Sequence, residues 1–400
     1  MVEAAYRVPG LRLGVTAAGI KYPDRHDLLV IELAEGGRCA AVFTRNAFCA
    51  APVHLAKANL SATTPRYLLV NSGNANAGTG EQGMADAEAC CQSLAQAGEC
   101  SAQQVLPFST GVIGENLPLE RMQQAMPAAL ADLREEGWSD AARAIMTTDT
   151  RPKLAERRFE IDGVEACVVG IAKGSGMIRP DMATMLAYLG TDLSIDQALL
   201  QRCLSEAVEP SFNSITVDGD TSTNDACVLL ASGASSLPTV SSAESEVYRK
   251  LSEAVNAVCM ELAREIVRDG EGATKLVEVA VEQAADSQEA REVAYTIAHS
   301  PLVKTALFAS DPNWGRILAA VGRAGIQGLD IDRVQIWLDQ VCIVRNGGRA
   351  AEYTEEAGQS VMDKPEFSIR VVLGRGSGQT RILTCDLSYD YVKINAEYRT

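Results

Sequence analysis

The sequence predicts a layered α/β fold with mixed sheets flanked by helices. Three observations carry that expectation. Short apolar runs of strand length recur along the chain, amphipathic stretches of helix length are interleaved with them, and the two kinds do not follow the strict strand–helix–strand alternation of a doubly wound parallel sheet. Size agrees: 400 residues, 47% of them hydrophobic, exceed one ordinary domain of about 100–200 residues and supply a sizeable core.

In residues 1–80 the runs "DLLVIELAEGG", "CAAVFTR", "APVHLA" and "RYLLVNSGNANAG" alternate with turn residues and read as strands. Residues 82–97 have helical composition and stop near Gly98, and a second helix is expected at 118–136, with Pro118 suited to its first turn. Residues 158–172 read as a hairpin turning at Asp162-Gly163. After Thr184, "TMLAYLGTDLS" reads as a strand, and Ser194-Ile195-Asp196-Gln197 as a capping box opening a helix to about 208. The clearest helix is 243–268, where Val247, Leu251, Val255, Val258, Leu262 and Ile266 line one face and Gly270 is a plausible stop. A further helix is expected at 287–299, and strands at 333–339, 341–346, 367–373 and 381–387. No repeat of 20–50 residues is visible.

Charge and composition narrow the function. A net charge of −16, from 36 basic and 52 acidic residues, disfavours binding to a phosphate backbone or an anionic membrane. Eleven cysteines are scattered without a CxxC pair, mostly in apolar runs such as "ACVVGIA", where they read as small core residues. With three histidines a zinc site of ordinary spacing is not expected. No disulfide framework, signal peptide or membrane-length apolar run is visible, so a cytoplasmic enzyme without metal is expected.

The stretch 173–186, "KGSGMIRPDMATML", concentrates the chemistry. It begins like a dinucleotide fingerprint, but the third glycine is missing and Pro180 interrupts the helix that should follow. Two readings of Ala183-Thr184 stay open on these residues alone: a plain loop entering a strand, and a bond the protein cuts in itself. In the second, the Thr184 hydroxyl attacks the carbonyl of the small Ala183, an ester forms, and water cuts it. The freed α-amine, with an ordinary pKa of about 7.7–8.0, then serves as the base for its own hydroxyl.

The same stretch resembles the self-cleavage segment of the ornithine acetyltransferase (ArgJ) family of arginine biosynthesis. The blocks "LVNSGNANAGTG" (69–80), "STGVIGE" (109–115), "AIMTTDT" (144–150), "VDGDTSTNDA" (217–226), "EGATK" (271–275), "LVKTALFASDPNWGRILAAVG" (302–322) and "YVKINAEYRT" (391–400) are similar to the family's blocks and stand in the family's order over almost the whole chain. One departure is Asp181, where the family carries Asn before "MAT". An acid there could slow cleavage or could hydrogen-bond as Asn would.

The resemblance implies an α/β fold cut into two chains, 1–183 and 184–400, the second holding the long helix and a C-terminal α/β part from about 277. It implies acetyl transfer from N2-acetylornithine to glutamate through an acetyl ester on Thr184, with acetyl-CoA as a possible second donor and no bound cofactor. Thr184 would be the nucleophile, Ala183-Thr184 the cleavage site, and Thr110 and Gly111 the oxyanion hole. Thr147, Lys173, Thr184, Glu271, Asn395 and Thr400 would contact substrate. Lys173 would pair with a carboxylate and Glu271 with the cationic nitrogen of ornithine. The tail, through the apolar alternation of "YVKIN", would dock. The family pairs two such heterodimers into an α2β2 assembly. The alternative enzyme is a self-processing aminopeptidase or amidase that passes the acyl group to water. "DGDTSTND" reads as a hydrogen-bonded turn, and "SDPNWGR" as a tight turn with Trp314 packing.

Overall fold

The computed structural model describes residues 6–179 and 185–397, which form two compact units. The first takes in the described residues up to Gly174, then 185–213 and Thr221–Ile266. The second takes in Ser175–Arg179, Ser214–Asp220 and the described residues from Val267. The spatial division therefore does not fall at residue 183: sequence from both sides of that bond enters each unit.

The first unit contains β1 (Leu11–Thr16), β2 (Leu28–Leu33), β3 (Arg38–Phe43), α1 (Ala51–Ala62), β4 (Tyr67–Asn74), α2 (Gly80–Ala97), β5 (Val105–Val112), α3 (Leu119–Ala131), α4 (Trp138–Ala144), β6 (Lys153–Ile161), β7 (Val164–Lys173), β8 (Leu186–Thr191), α5 (Gln197–Val208), β9 (Ala226–Ala231) and most of α6 (Glu246–Arg268). One mixed sheet runs β1-β2-β4-β5 and the other β3-β9-β8-β7-β6. They share one core: Leu11, Ile31, Leu68 and Phe108 from the first meet Val169, Ile171, Tyr188 and Val228 from the second. Phe108 and Tyr188 meet edge to face at 5.4 Å. The other face of the first sheet carries α2 and α3 through Leu28, Val30 and Leu69 against Cys90, Leu94, Met122 and Met126. The outer face of the second carries α6, which comes so close to β7 that a Cβ on Gly170 would lie 2.7 Å from Val258. Both sheets are thus covered on both faces, which is why their strands read as continuous apolar runs.

The second unit contains β10 (Leu276–Ala284), α7 (Ser287–Ala298), α8 (Pro301–Phe308), α9 (Trp314–Gly322), β11 (Gln335–Leu338), β12 (Val341–Arg345), β13 (Gly348–Arg349), α10 (Glu355–Met362), β14 (Glu366–Val372), β15 (Gly378–Cys385) and α11 (Tyr389–Ala396). Its sheet runs β13-β12-β11-β14-β10-β15, with β10 parallel to β14 and antiparallel to β15. Val277, Val279 and Val281 pack against Val293, Ile297 and Ile317 in a separate core.

The expected hairpin, the four C-terminal strands and the helices near 82–97, 243–268 and 287–299 are present. Three local expectations are corrected. Residues 51–56 belong to helix α1, with Pro52 in its first turn and Val53, Ala56 and Asn59 buried at helical spacing. The helix expected to reach 136 stops at Ala131, because Leu13 bonds the Arg134 carbonyl and Val15 donates to the Asp132 carboxylate, drawing the chain onto β1. Ser194 does not cap α5: its hydroxyl pairs with Thr239 at 2.9 Å, while Gln197 donates to the Cys39 carbonyl. The tail expected to dock forms helix α11, on which Tyr389 and Val392 are exposed. In 310–316, Asn313 caps α9 by accepting from the Arg316 N–H, and Trp314 packs on the second core. Nine of the eleven cysteines are buried, as core residues are.

Candidate active site

Thr110 and Gly111 lie at the end of β5, where its parallel ladder with β4 breaks: Asn74 stands opposite both Thr110 and Val112. Gly111 has φ +135°, and a Cβ there would lie 2.3 Å from the Gly73 carbonyl carbon, so the two backbones can approach this closely only with glycine. Asparagines hold the break in shape. Asn71 donates to the Asn74 carbonyl at 2.8 Å and accepts from the Ser109 hydroxyl at 2.6 Å. Asn224, just before β9, donates to the carbonyls of Ala75 and Ser109 at 2.6 and 3.0 Å. Asn74 reaches the carbonyls of Glu115 and Asn116. Each of these side chains is buried. Amide side chains, which both donate and accept, can satisfy a broken ladder on both sides.

Lys173 closes β7 and is buried, not solvated. In the sheet it pairs with Leu186, and Leu186 with Ala226, so the ends of β7, β8 and β9 lie in a row. Asp149, unnoticed within "TTDT", organises this end. Its buried carboxylate accepts from the Lys153 ammonium at 2.6 Å, the Gly174 N–H at 2.8 Å and the Thr147 N–H at 3.0 Å. Burial alone would raise its pKa. The charges of Lys173 and Lys153, with these hydrogen bonds, outweigh burial and bring it to about 2. Thr147 and Lys173 are therefore tied to one acid. Asp225 faces the opposite balance: burial raises it well above the usual carboxylate range, offset only in part by the Ser222 hydroxyl and the Lys173 charge. Its Oδ2 finds no hydrogen-bond partner among the described residues.

In the second unit, Glu271 and Asn395 come together: the Asn395 amide donates to the Glu271 carboxylate at 2.7 Å. Glu271 is buried just after α6, and its own N–H donates to the Ser175 carbonyl at 3.0 Å. Its carboxylate lies against Gly176, where a Cβ would be 2.5 Å from both oxygens. The "DGD" turn is hydrogen-bonded as expected, with Asp218 accepting from the N–H groups of Met177 and Ile178. Ala183, Thr184 and Thr400, and with them the expected nucleophile and cleavage bond, lie outside the described residues.

The described residues thus form three arrangements: a glycine turn with a threonine hydroxyl, a buried lysine–aspartate cluster able to face an anion, and a buried glutamate able to face a cation. Asp149, Asn71, Asn224 and Asp218 were not singled out from sequence. Their signal was the density of Asn and Asp in the quoted blocks, which marks side chains that bond backbone in turns.

The ArgJ family's sequence profile matches residues 12–400. The arginine biosynthesis bifunctional protein of Methylococcus capsulatus is 61% identical over 393 residues, covering 98% of this chain and 96% of that one. Its counterpart in Pseudomonas fluorescens is 56% identical, with 98% and 97% covered. Among solved structures, the arginine biosynthesis bifunctional protein of Bacillus halodurans is 40% identical, covers 52% of this chain and 97% of that chain, and has a TM-score of 0.49. With its profile matched from residue 12 to the last residue and relatives this similar end to end, the chain belongs to the ArgJ family.

Proposed function

We propose that this arginine-biosynthesis enzyme moves an acetyl group from N2-acetylornithine to glutamate in two half-reactions, through an ester on Thr184. The observation that carries the reading is the family match along residues 12–400, which includes every residue given a role here.

The chain first cuts itself. The Thr184 hydroxyl oxygen adds to the Ala183 carbonyl, the C–N bond breaks, and the hydroxyl proton ends on the nitrogen. Water then hydrolyses the ester and leaves a free α-amine. In each turnover that amine takes the hydroxyl proton while the oxygen attacks the acetyl carbonyl. Thr110 and Gly111 stabilise the oxyanion, and ornithine leaves. Glutamate's amine next attacks the acetyl-Thr184 ester, giving N-acetylglutamate and restoring the hydroxyl. Thr147 and Lys173 hold the substrate near its carboxylate. Glu271, held by Asn395, meets the cationic nitrogen of ornithine, and Thr400 adds a contact at the chain end. The geometry that supports these roles is the Asp149–Lys153–Lys173 cluster and the Glu271–Asn395 bond.

The cycle needs no metal or bound cofactor, because a covalent ester carries the acetyl group. Acetyl-CoA is the second donor in the bifunctional form that the relatives' name describes. The two chains, 1–183 and 184–400, stay associated and pair into an α2β2 assembly in the cytoplasm.

Product analysis tests the reading. Purified protein given N2-acetylornithine and glutamate should form ornithine and N-acetylglutamate in equal amounts. Release of acetate without N-acetylglutamate overturns transfer in favour of hydrolysis. A parallel reaction with acetyl-CoA and glutamate tests the second donor.

A further inference from the structure

The stretch that leads to the cleavage bond is held in an unusual conformation, and one side chain does most of the holding. Met177 has φ +55°, a left-handed conformation rare outside glycine. The Asp218 carboxylate accepts from the Met177 N–H at 2.6 Å and from the Ile178 N–H at 2.9 Å, one oxygen for each. The Ile178 carbonyl is fixed as well: it accepts from the Val217 N–H at 2.8 Å and the Thr216 hydroxyl at 2.8 Å. The support is itself anchored, since the Thr216 N–H donates to the Leu383 carbonyl of β15 at 2.8 Å. Upstream, the Ser175 hydroxyl donates to the Asp269 carbonyl at 2.6 Å, and Glu271 occupies the space beside Gly176. Ala183 follows Ile178 by five residues, so fixing residues 175–178 fixes one end of the segment that must present the bond.

We propose that Asp218 is a positioning residue for self-cleavage: by clamping the Met177 and Ile178 N–H groups it fixes the backbone at Met177 and Ile178, a few residues before the Ala183-Thr184 bond in sequence, and cleavage depends on that clamp. It takes no part in the covalent steps. Its contribution is orientation, and intramolecular reactions depend steeply on orientation. The inference rests on the self-cleavage reading given above. Asp218→Asn keeps one accepting oxygen and replaces the other with a donor, so one clamped N–H loses its partner. Asp218→Ala releases both.

The test follows cleavage in pulse-labelled, cell-free synthesised full-length chain, as loss of the 42.6 kDa species on denaturing gels, with thermal unfolding recorded on the same variants. Wild type, Thr184→Ala, Asp218→Asn, Asp218→Ala and Asp339→Asn are compared. Asp339 is the control because it holds the Ser368 N–H in the same unit, away from this segment. Asp218→Asn should cleave at least tenfold more slowly than wild type, and Asp218→Ala more slowly still, while Asp339→Asn cleaves at the wild-type rate at a comparable loss of melting temperature. Wild-type cleavage in Asp218→Asn overturns the proposal. So does equal slowing in Asp339→Asn, since that would make the effect one of general destabilisation. Should Asp218→Asn not fold, Asp218→Glu, which keeps the charge and both oxygens but moves them by one methylene from the Met177 and Ile178 N–H groups, decides by the same measure: a slowing of at least threefold supports the proposal and the wild-type rate overturns it. If wild type stays intact, or Thr184→Ala still splits, the self-cleavage reading itself has failed, whatever Asp218 does.

Discussion

Gly176 shows how one missing Cβ sets a site. The Glu271 carboxylate occupies the space a side chain would need, with both oxygens 2.5 Å from an added Cβ. Gly176→Ala must push that carboxylate away and strain its 2.7 Å bond with Asn395. We expect about a tenfold rise in KM for N2-acetylornithine, or about 1.4 kcal/mol of lost binding, with glutamate's KM less affected; steady-state kinetics with each substrate varied checks this. Asp149 works in the opposite sense, by adding charge where none can be spared. Asp149→Asn leaves the buried Lys153 ammonium without its carboxylate, and removing one partner of a buried pair costs roughly 3–5 kcal/mol. Urea unfolding should show that loss at neutral pH. Its folded pKa of about 2 lies below the ordinary 3.8, so the stability it contributes is complete above 3.8 and fades as pH falls toward 2. The acid limb of the wild-type stability curve should therefore flatten in Asp149→Asn.

At the scale of elements, the broken end of the β4–β5 ladder is the feature a local reading could not anticipate. "LVNSGNANAGTG" and "STGVIGE" are each legible as a strand running into a turn. Only their parallel pairing, with Asn74 opposite both Thr110 and Val112, shows that the two turns are one structure. Gly111→Ala places a Cβ 2.3 Å from Gly73 at φ +135° and should lower the acetyl-transfer rate about 10²–10³-fold, the usual loss for one oxyanion donor. Single-turnover acetylation of the protein by N2-acetylornithine measures it. Asn224→Ala withdraws the donor from two buried carbonyls, at roughly 1–3 kcal/mol for each left unsatisfied. The corrected elements err for a related reason. "APVHLA" is too short for periodicity to separate strand from helix, and Pro52 in a first helical turn is the signal for helix. "YVKIN" alternates like a strand yet forms α11.

At the scale of the whole molecule, each unit closes its own core, and acid should reach the second through His299. That imidazole is lowered from 6.5 to about 4, by burial first and then by the charges of Arg179, Lys304 and Arg323, and its Nε2 pairs with the Thr216 hydroxyl at 3.1 Å. Between pH 6.5 and 4 the unfolded chain binds the proton and the folded one does not, so stability falls as pH drops through that window, by no more than about 3 kcal/mol. In His299→Gln the thermal midpoint should vary less between pH 6.5 and 4 than in wild type. An unchanged slope would place the acid sensitivity elsewhere.

The sequence by itself determined the class of fold, most of its strands and helices, and the family, because apolar period and ordered motif blocks are written locally in the chain. It also named Thr110, Gly111, Lys173 and Glu271, residues whose types carry chemistry. Only the tertiary structure decided what surrounds them: that Lys173 is buried beside Asp149, that Asn71 and Asn224 brace the Gly111 turn, and that Asp218 clamps Met177 and Ile178. Those partners lie tens to more than a hundred positions apart in sequence. Hydrogen bonds and ion pairs depend on distances of about 3 Å in space, which no spacing along the chain encodes.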